Sequence, residues 1–429
     1  GNQILSGGYL GVDIFFVISG YLITSLIYKE ILETNKFSFL NFYKRRIKRI
    51  VPTLLFVISI SLPVAYFSLL PNALIHFVKS IIFTVGFTSN FYFYKTAGEY
   101  SAVETIFIPF LHTWSLSIEE QFYLIFPFLL TIIFFNYKKI LLLILTFLFV
   151  ISLLFAIIHT ERDISFSFYS FHTRFWELIS GSIVAIIDYK NVKKKINNNI
   201  SIILSNIAFI ILIISLFIFD EKTKHPSTTT LIPILSTCLF LYFSSKGQFL
   251  AKILSNKILV FFGLISYSLY LWHYPIFAFY RTYFYGYSFY SFLVDKILVI
   301  FLLFSLSIFS YYVIEKYFRN KNIKFIKVIF FIFLNIAIIA YFSFNSLRTA
   351  GFLKRIPQSL QEKTSIINFY SKEYRNCHVR FNFKTMKFCK FGEFKKNIVL
   401  VGDSRSAFLI NDLKNKVLNK KYNLNILTA

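Results

Sequence analysis

The chain has 429 residues, of which 56% are hydrophobic and 21% aromatic, and its mean hydropathy is +0.62. This excludes a soluble domain with one core, because apolar runs of about 20 residues, the length that crosses a bilayer, recur along it. A net charge of +26 would suit a nucleic-acid binder, but Lys and Arg sit in short clusters between the apolar runs, the positive-inside pattern, which argues against nucleic acid as a partner.

Candidate spans fall at 12–32, 50–70, 110–135, 139–158, 174–188, 199–219, 227–244, 258–280, 290–315 and 327–345. They imply an α-helical integral membrane bundle of about ten visible spans. The first opens on Gly7-Gly8-Tyr9-Leu10-Gly11-Val12-Asp13, and its Ser19-Gly20 step allows close helix approach. Asp13 either caps the helix N-terminus or serves as a carboxylate that orients a base or binds an acceptor hydroxyl. The loop Lys44-Arg45-Arg46-Ile47-Lys48-Arg49 fixes one cytoplasmic side. Its Arg45, Arg46 and Arg49 share a helical face that suits phosphate capture, although topology alone would need two or three cations.

The stretch 76–94 carries Lys79, Gly86 and Asn90 and reads as re-entrant or interfacial. Next, Thr113 to Tyr123 gathers Trp114, the hydroxyls of Thr113, Ser115 and Ser117, Glu119 and Glu120 in an oily run. Ionisable groups at membrane depth cost a few kcal/mol, so a functional reading is the default, with a structural polar cluster as the alternative. Adjacent glutamates point about 100° apart on a helix and cannot form a one-face dyad. Arg174 and Glu177, three residues apart, either pair with each other or hold substrate. Cys238 reads as a small packing residue. His273, between Trp272 and Tyr274 and before the helix-breaking Pro275, is either packing or catalytic. Glu315, followed by Lys316 and Arg319, belongs to an interfacial ion network.

Charge alternation puts the Lys138, Lys190–Lys195, Lys246–Lys257 and Lys316–Lys327 clusters on the cytoplasmic side and the basic-poor loops opposite. The first visible span then runs inward, one further helix is expected upstream, and the last span delivers Asn345 to Ala429 outside. Cys377 and Cys389 in that tail either pair in an oxidising compartment or stay free. Asn397 to Val401 reads as a buried-type strand running into Gly402-Asp403-Ser404, a turn that would expose Ser404 as a nucleophile. The sequence starts without Met and stops soon after an apparent strand, and is read as a fragment cut at both ends. It contains no metal-ligand spacing and no Gly-rich nucleotide loop.

Together GGYLGVDIFFVISGYLIT, FYKRRIKRIVP, HTWSLSIEEQFYLIFP, RFWELISG and SYSLYLWHYPI resemble the membrane-bound acyltransferase-3 family over residues 7–320, and the GDS tail resembles its fused type with a periplasmic SGNH-type domain. The resemblance implies a membrane domain at 1–320 lacking its first helix, an extra span and linker at 321–369, and the start of an α/β SGNH-like exported domain at 370–429. It implies transfer of an acyl group, acetyl by expectation, from cytoplasmic acyl-CoA to hydroxyls of a bacterial surface glycan of O-antigen, lipooligosaccharide or peptidoglycan type, or to its lipid-linked precursor. Acetyl-CoA is then a donor substrate, no cofactor is permanently bound, and the location is the bacterial inner membrane, multi-pass, with the tail periplasmic.

Carried over by motif, Arg45, Arg46 and Arg49 would bind the donor, and Trp114, Arg174 and Glu177 the substrate. Asp13, Glu119, Glu120, His273 and Ser404 would be catalytic. The family's leading base, a first-helix His ten residues after an Arg, is not in this chain, so the fragment is expected to be inactive. The tail has Arg405 where SGNH domains usually read GDSH, and their remaining triad partners would lie beyond Ala429. The alternative is a proton-coupled transporter or flippase of a cell-envelope precursor. An acyltransferase needs the arginine face and such a carrier does not.

Overall fold

The computed structural model describes residues 6–97, 105–190, 197–220, 223–244, 248–284, 292–358, 361, 389–402 and 416–428. Two compact units emerge, Gly1–Leu69 with His76–Phe344, and Leu70–Ile75 with Asn345–Ala429. A short 3₁₀ turn, Ser6–Leu10, leads into α1 (Gly11–Thr34), α2 (Phe39–Ser68), α3 (Pro71–Val85), α4 (Ser89–Ala97) and α5 (Thr113–Tyr137). Then come α6 (Leu141–Arg162), α7 (Ile164–Tyr169), α8 (Phe171–Tyr189), α9 (Asn198–Ile218), α10 (Leu231–Phe243) and α11 (Phe249–Leu254). The series ends with α12 (Lys257–Phe284), α13 (Phe292–Phe309), a π-helical turn at Ser310–Glu315, α14 (Lys316–Arg319) and α15 (Phe325–Arg348).

Helices α6 and α9 bury mostly small or hydroxylated residues and turn large apolar ones outward, the reverse of a soluble helix. On α9 the buried positions are Ser201, Ser205, Ala208 and Ser215, while Ile203, Ile210 and Phe217 face outward. On α6 Ser152, Ala156 and Thr160 are buried, and Leu143 and Phe147 are more than 60% exposed. In a bilayer the apolar face meets lipid, and small or hydroxylated residues let helices approach and hydrogen-bond. Ser152 Oγ donates to His172 O (2.5 Å) and accepts from Trp176 N (3.0 Å), joining α6 to α8. Trp176 then centres a core of Val17, Ala156, Ile234 and Cys238, from α1, α6, α8 and α10, so Cys238 is the packing residue its position suggested.

Seven stretches of the described residues are helical, long and apolar enough to cross a membrane. One of them, Thr113–Arg162, has 50 residues, about 75 Å of helix and more than twice a bilayer core. It is in fact α5 and α6, separated by a 3₁₀ turn at Lys138–Ile140 where Tyr137 leaves helical geometry at φ −135°. The count of ten is therefore not reached by length and composition. Helix α8 carries Arg174, Glu177 and Asp188 within 19 residues, and α10 has 13 residues. The stretch read as one re-entrant segment is two helices, α3 and α4, broken beside Gly86 where Phe87 takes φ 52°.

In the second unit, β1 (Cys389–Phe391), β2 (Lys396–Gly402) and β3 (Tyr422–Thr428) form a sheet of order β1-β3-β2. Strands β2 and β3 are parallel, and a helical turn at 416–419 precedes β3. Asn423 staples the preceding loop, its Nδ2 donating to Phe394 O (2.6 Å) and Asn397 Oδ1 (2.7 Å). The strand expected at Asn397–Val401 is present but not buried, since Ile398 is 39% and Val399 54% exposed. Ser404 and Cys377 lie outside the described residues.

Candidate functional site

Arg174 lies in the first turn of α8 with its side chain fully buried. Its Nη1 is 2.9 Å from Asp13 Oδ1 on α1, 2.9 Å from Glu177 Oε1 one turn on, and 2.8 Å from Nε2 of His225 in the loop before α10. His225 Nε2 is also 3.3 Å from Asp13 Oδ1. The guanidinium lies over Phe168 at 4.9 Å and Trp114 at 5.4 Å, and Tyr9 meets the His225 ring edge-on at 5.0 Å. The loop is held by Thr160 Oγ1 donating to Pro226 O (2.5 Å) and by a capping box between Ser227 and Thr230. Burial, and then the Arg174 charge, hold the His225 imidazole well below its ordinary pKa, so it is neutral at neutral pH.

Asp13 therefore does not cap α1, whose N-cap position is Leu10 with no side-chain cap bond. Two carboxylates face one guanidinium with no exposure to water, an arrangement that is weak evidence of stability and better evidence of a site. One polar atom on each partner remains without a hydrogen bond: Asp13 Oδ2, Arg174 Nη2, Glu177 Oε2 and His225 Nδ1. Buried polar atoms are ordinarily paired, so four orphans on one cluster mark a place where hydroxyl groups or waters belong.

A second constellation centres on α5. Glu119 is buried and accepts from Tyr123 OH one turn on (3.4 Å), and that hydroxyl also hydrogen-bonds Ser19 Oγ of α1. Arg46 of α2 lies 5.3 Å over the Tyr123 ring. The Oε1 of Glu120 has no partner. At the head of α5, Tyr270 OH of α12 donates to His112 O (2.7 Å) and contacts Ser115 Oγ (3.0 Å). The ring of His112 packs against His273 at 5.1 Å and stacks on Tyr274 at 5.5 Å. His273 Nδ1 donates to Tyr270 O (2.6 Å), while both ring nitrogens of His112 lack partners. The other motif hydroxyls are architectural. Thr113 bonds Thr84 and Ser89, and Ser117 bonds Ser89, tying α5 to α3 and α4.

The candidate residues thus sort into groups. Asp13, Trp114, Arg174 and Glu177 converge on one cluster, Glu119 meets Arg46 through Tyr123, and His273 meets His112. The three arginines do not act as one face. Arg45 is exposed and paired with Glu30 at 3.3 Å, Arg46 turns inward, and Arg49 is exposed. Glu315 accepts from Ser268 Oγ (3.1 Å) and Arg319 (2.9 Å) at the π-helical turn, a distortion frequent at functional sites. His225 and a role for His112 escaped the sequence reading. The only signal for either was a His heading a polar motif and a His-Pro step in the loop before α10.

A bundle with lipid-type outer faces and several apolar helices long enough to cross a bilayer is that of a multi-pass membrane protein. Residues 2–316 match the acyltransferase domain family Acyl_transf_3, and the chain belongs to that family. It is 38% identical over 299 residues to O-acetyltransferase OatA of Staphylococcus aureus, covering 66% of this chain and 48% of the relative. A second protein of that species (strain COL), which bears the name O-acetyltransferase provisionally, is 33% identical over 293 residues, with the same coverage. The chain spans about half the length of the curated relatives it matches. No solved structure matches it significantly.

Proposed function

We propose that the protein is an O-acetyltransferase that takes acetyl from cytoplasmic acetyl-CoA and delivers it to a hydroxyl of an extracytoplasmic cell-envelope glycan. The observation that carries this reading is the relay from Arg46 through Tyr123 to Glu119 and Ser19, which joins the basic segment 44–49, helical here rather than the loop expected, at the start of α2 to the interior of α1 and α5. Arg46 neutralises donor phosphate while the carboxylate and hydroxyls sit where the acyl group would pass. The Asp13–Arg174–Glu177 cluster, walled by Trp114 and Phe168, offers the mixture of aromatic faces and paired charges that binds a sugar hydroxyl.

In this scheme α8 and α10 cross the bilayer with the longer helices to make ten crossings of the bacterial inner membrane, and α15 delivers the SGNH-like tail with Ser404 outside. The OatA relationship supports the O-acetyl assignment. The test is incorporation of labelled acetyl from acetyl-CoA into cell-wall glycan by membranes holding the full-length protein. Arg46→Ala should lower incorporation about tenfold or more, the loss of one charge-assisted contact, with membrane insertion unchanged. Undiminished incorporation in that variant would remove Arg46 from donor binding.

A further inference from the structure

Resting on the acyl-transfer reading, we propose that Phe16 and Trp114 form an aromatic partition between the donor and acceptor sides of the bundle, and so decide between transfer to a sugar hydroxyl and loss of the acyl group to water. Three residues about a turn apart on α1 carry the argument. Asp13 pairs with Arg174, Phe16 meets Trp114 edge-on at 6.3 Å, and Ser19 hydrogen-bonds Tyr123, whose hydroxyl also reaches Glu119. Each step of three residues advances about 4.5 Å along the helix and leaves the two side chains neighbours on its surface. Helix α5 runs alongside in the same direction, since Phe16 meets Trp114, Ser19 meets Tyr123 and Tyr28 meets Phe134. The two polar constellations are therefore stacked along one seam, and the Phe16–Trp114 contact lies between them.

Both rings are buried, and Trp114 also packs on Phe168 at 4.5 Å and meets Tyr169 edge-on at 5.7 Å. Just beyond them the backbones of α1 and α8 touch at Gly20 and Gly181, which leaves no passage between those two helices. Core packing alone accounts for buried rings but not for their place. They form an apolar plug with unpartnered Asp13 Oδ2 and Arg174 Nη2 on one side and Glu120 Oε1 on the other. Water at those polar atoms would compete with the sugar. Its oxygen would attack the thioester carbon, forming C–O as C–S breaks, with one proton passing to the thiolate and the other leaving with acetate. Transfer makes and breaks the same bonds with the sugar oxygen in place of water, and the hydroxyl proton ends on the thiolate. Exclusion of water separates the two outcomes. The Arg174 guanidinium lies 5.4 Å over the Trp114 ring, so an acceptor seated on Arg174 disturbs the ring that closes the path.

The test measures thiol release from acetyl-CoA by the full-length protein in detergent without glycan, beside labelled acetyl transfer once glycan is added. Trp114→Ala should raise acceptor-independent hydrolysis about tenfold and lower the ratio of transfer to hydrolysis at least as much. Trp114→Phe, which keeps a ring, should restore most of that ratio. Phe16→Leu should raise hydrolysis less, and it decides the matter if Trp114→Ala does not fold. Phe126→Ala removes a buried ring stacked on Phe122 farther along α5. It is the packing control and should lose stability without gaining hydrolysis. The partition is overturned if hydrolysis stays at the wild-type level in folded Trp114→Ala, or in Phe16→Leu should Trp114→Ala not fold. An equal rise in Phe126→Ala overturns it too. Absence of transfer by the wild type would instead remove the acyl-transfer reading beneath it.

Discussion

Replacing Arg174 with Met is expected to abolish acyl transfer and to destabilise the helix bundle by about 3–5 kcal/mol, the cost of breaking a buried ion pair by removing one partner. The size follows from what would remain. Asp13 and Glu177 both have fully buried side chains, and each has its 2.9 Å contact with the same guanidinium nitrogen. Removing the cation leaves two carboxylates facing each other in a dry interior, so at least one must take up a proton or draw in water. The loss also touches packing, since the guanidinium lies against the rings of Phe168 and Trp114, which themselves pack 4.5 Å apart.

A cycle of variants separates charge from volume. Arg174→Met with Asp13→Asn and Glu177→Gln removes the uncompensated charges while keeping the side chains nearly in place. That triple variant should recover most of the lost stability, because a buried charge cluster replaced as a whole is often neutral. It should recover none of the transfer. Asp13→Asn alone should be milder, as Arg174 keeps Glu177. Thermal unfolding of purified protein in detergent, beside acetyl incorporation, reads both effects. If Arg174→Met unfolded within ~2 °C of wild type, a shift of about 1–2 kcal/mol at most for a bundle of this size, the cluster would not carry the stability assigned to it.

How much of this was legible in the residue order depends on the range of each interaction. The apolar run read at 258–280 is α12, Lys257–Phe284, and the run at 12–32 is α1, because a helix satisfies its backbone locally and composition reports it. The importance of Asp13, Glu119, Arg174 and Glu177 was legible for the same reason, as charge in an apolar run stands out. Their partners were not. His225 meets Arg174 across 51 positions and Asp13 across 212, through a loop whose composition is unremarkable, so only the packing of α1, α8 and α10 reveals the contact. Helical spacing placed Arg45 with Arg46, but Glu30, 15 residues earlier, takes Arg45 away, a competition that periodicity cannot express. At Asn397–Val401 the apolar run placed the strand, but among the described residues Ile398 and Val399 stay exposed, because an apolar run states that a face needs cover and not which residues supply it.

The other large effect is expected at two glycines. Helix α1 packs more extensively on α8 than on any other element, and the two backbones touch at Gly20 and Gly181. A Cβ at Gly20 would lie 1.9 Å from Leu178 O, and one at Gly181 would lie 1.9 Å from Val17 O. Each obstruction is backbone and cannot rotate away, so the helices must separate. Ser182 Oγ, which donates to Leu178 O (3.1 Å), and the core around Trp176 share that seam. Gly20→Ala and Gly181→Ala should each cost about 3 kcal/mol or more, at the upper end for overpacking, and lower the yield of folded protein. Because both changes open the same seam, the double variant should cost clearly less than the sum. Separation also draws Asp13 on α1 away from Arg174 on α8, so transfer should fall further than stability alone explains. Gly263→Ala on α12 is the control, since its Cβ would meet nothing within 4 Å and Ala is favoured over Gly in a helix by about 1 kcal/mol. Equal tolerance of all three substitutions in thermal unfolding would show that α1 and α8 are not in backbone contact, and the Asp13–Arg174 pair would lose its structural basis with them.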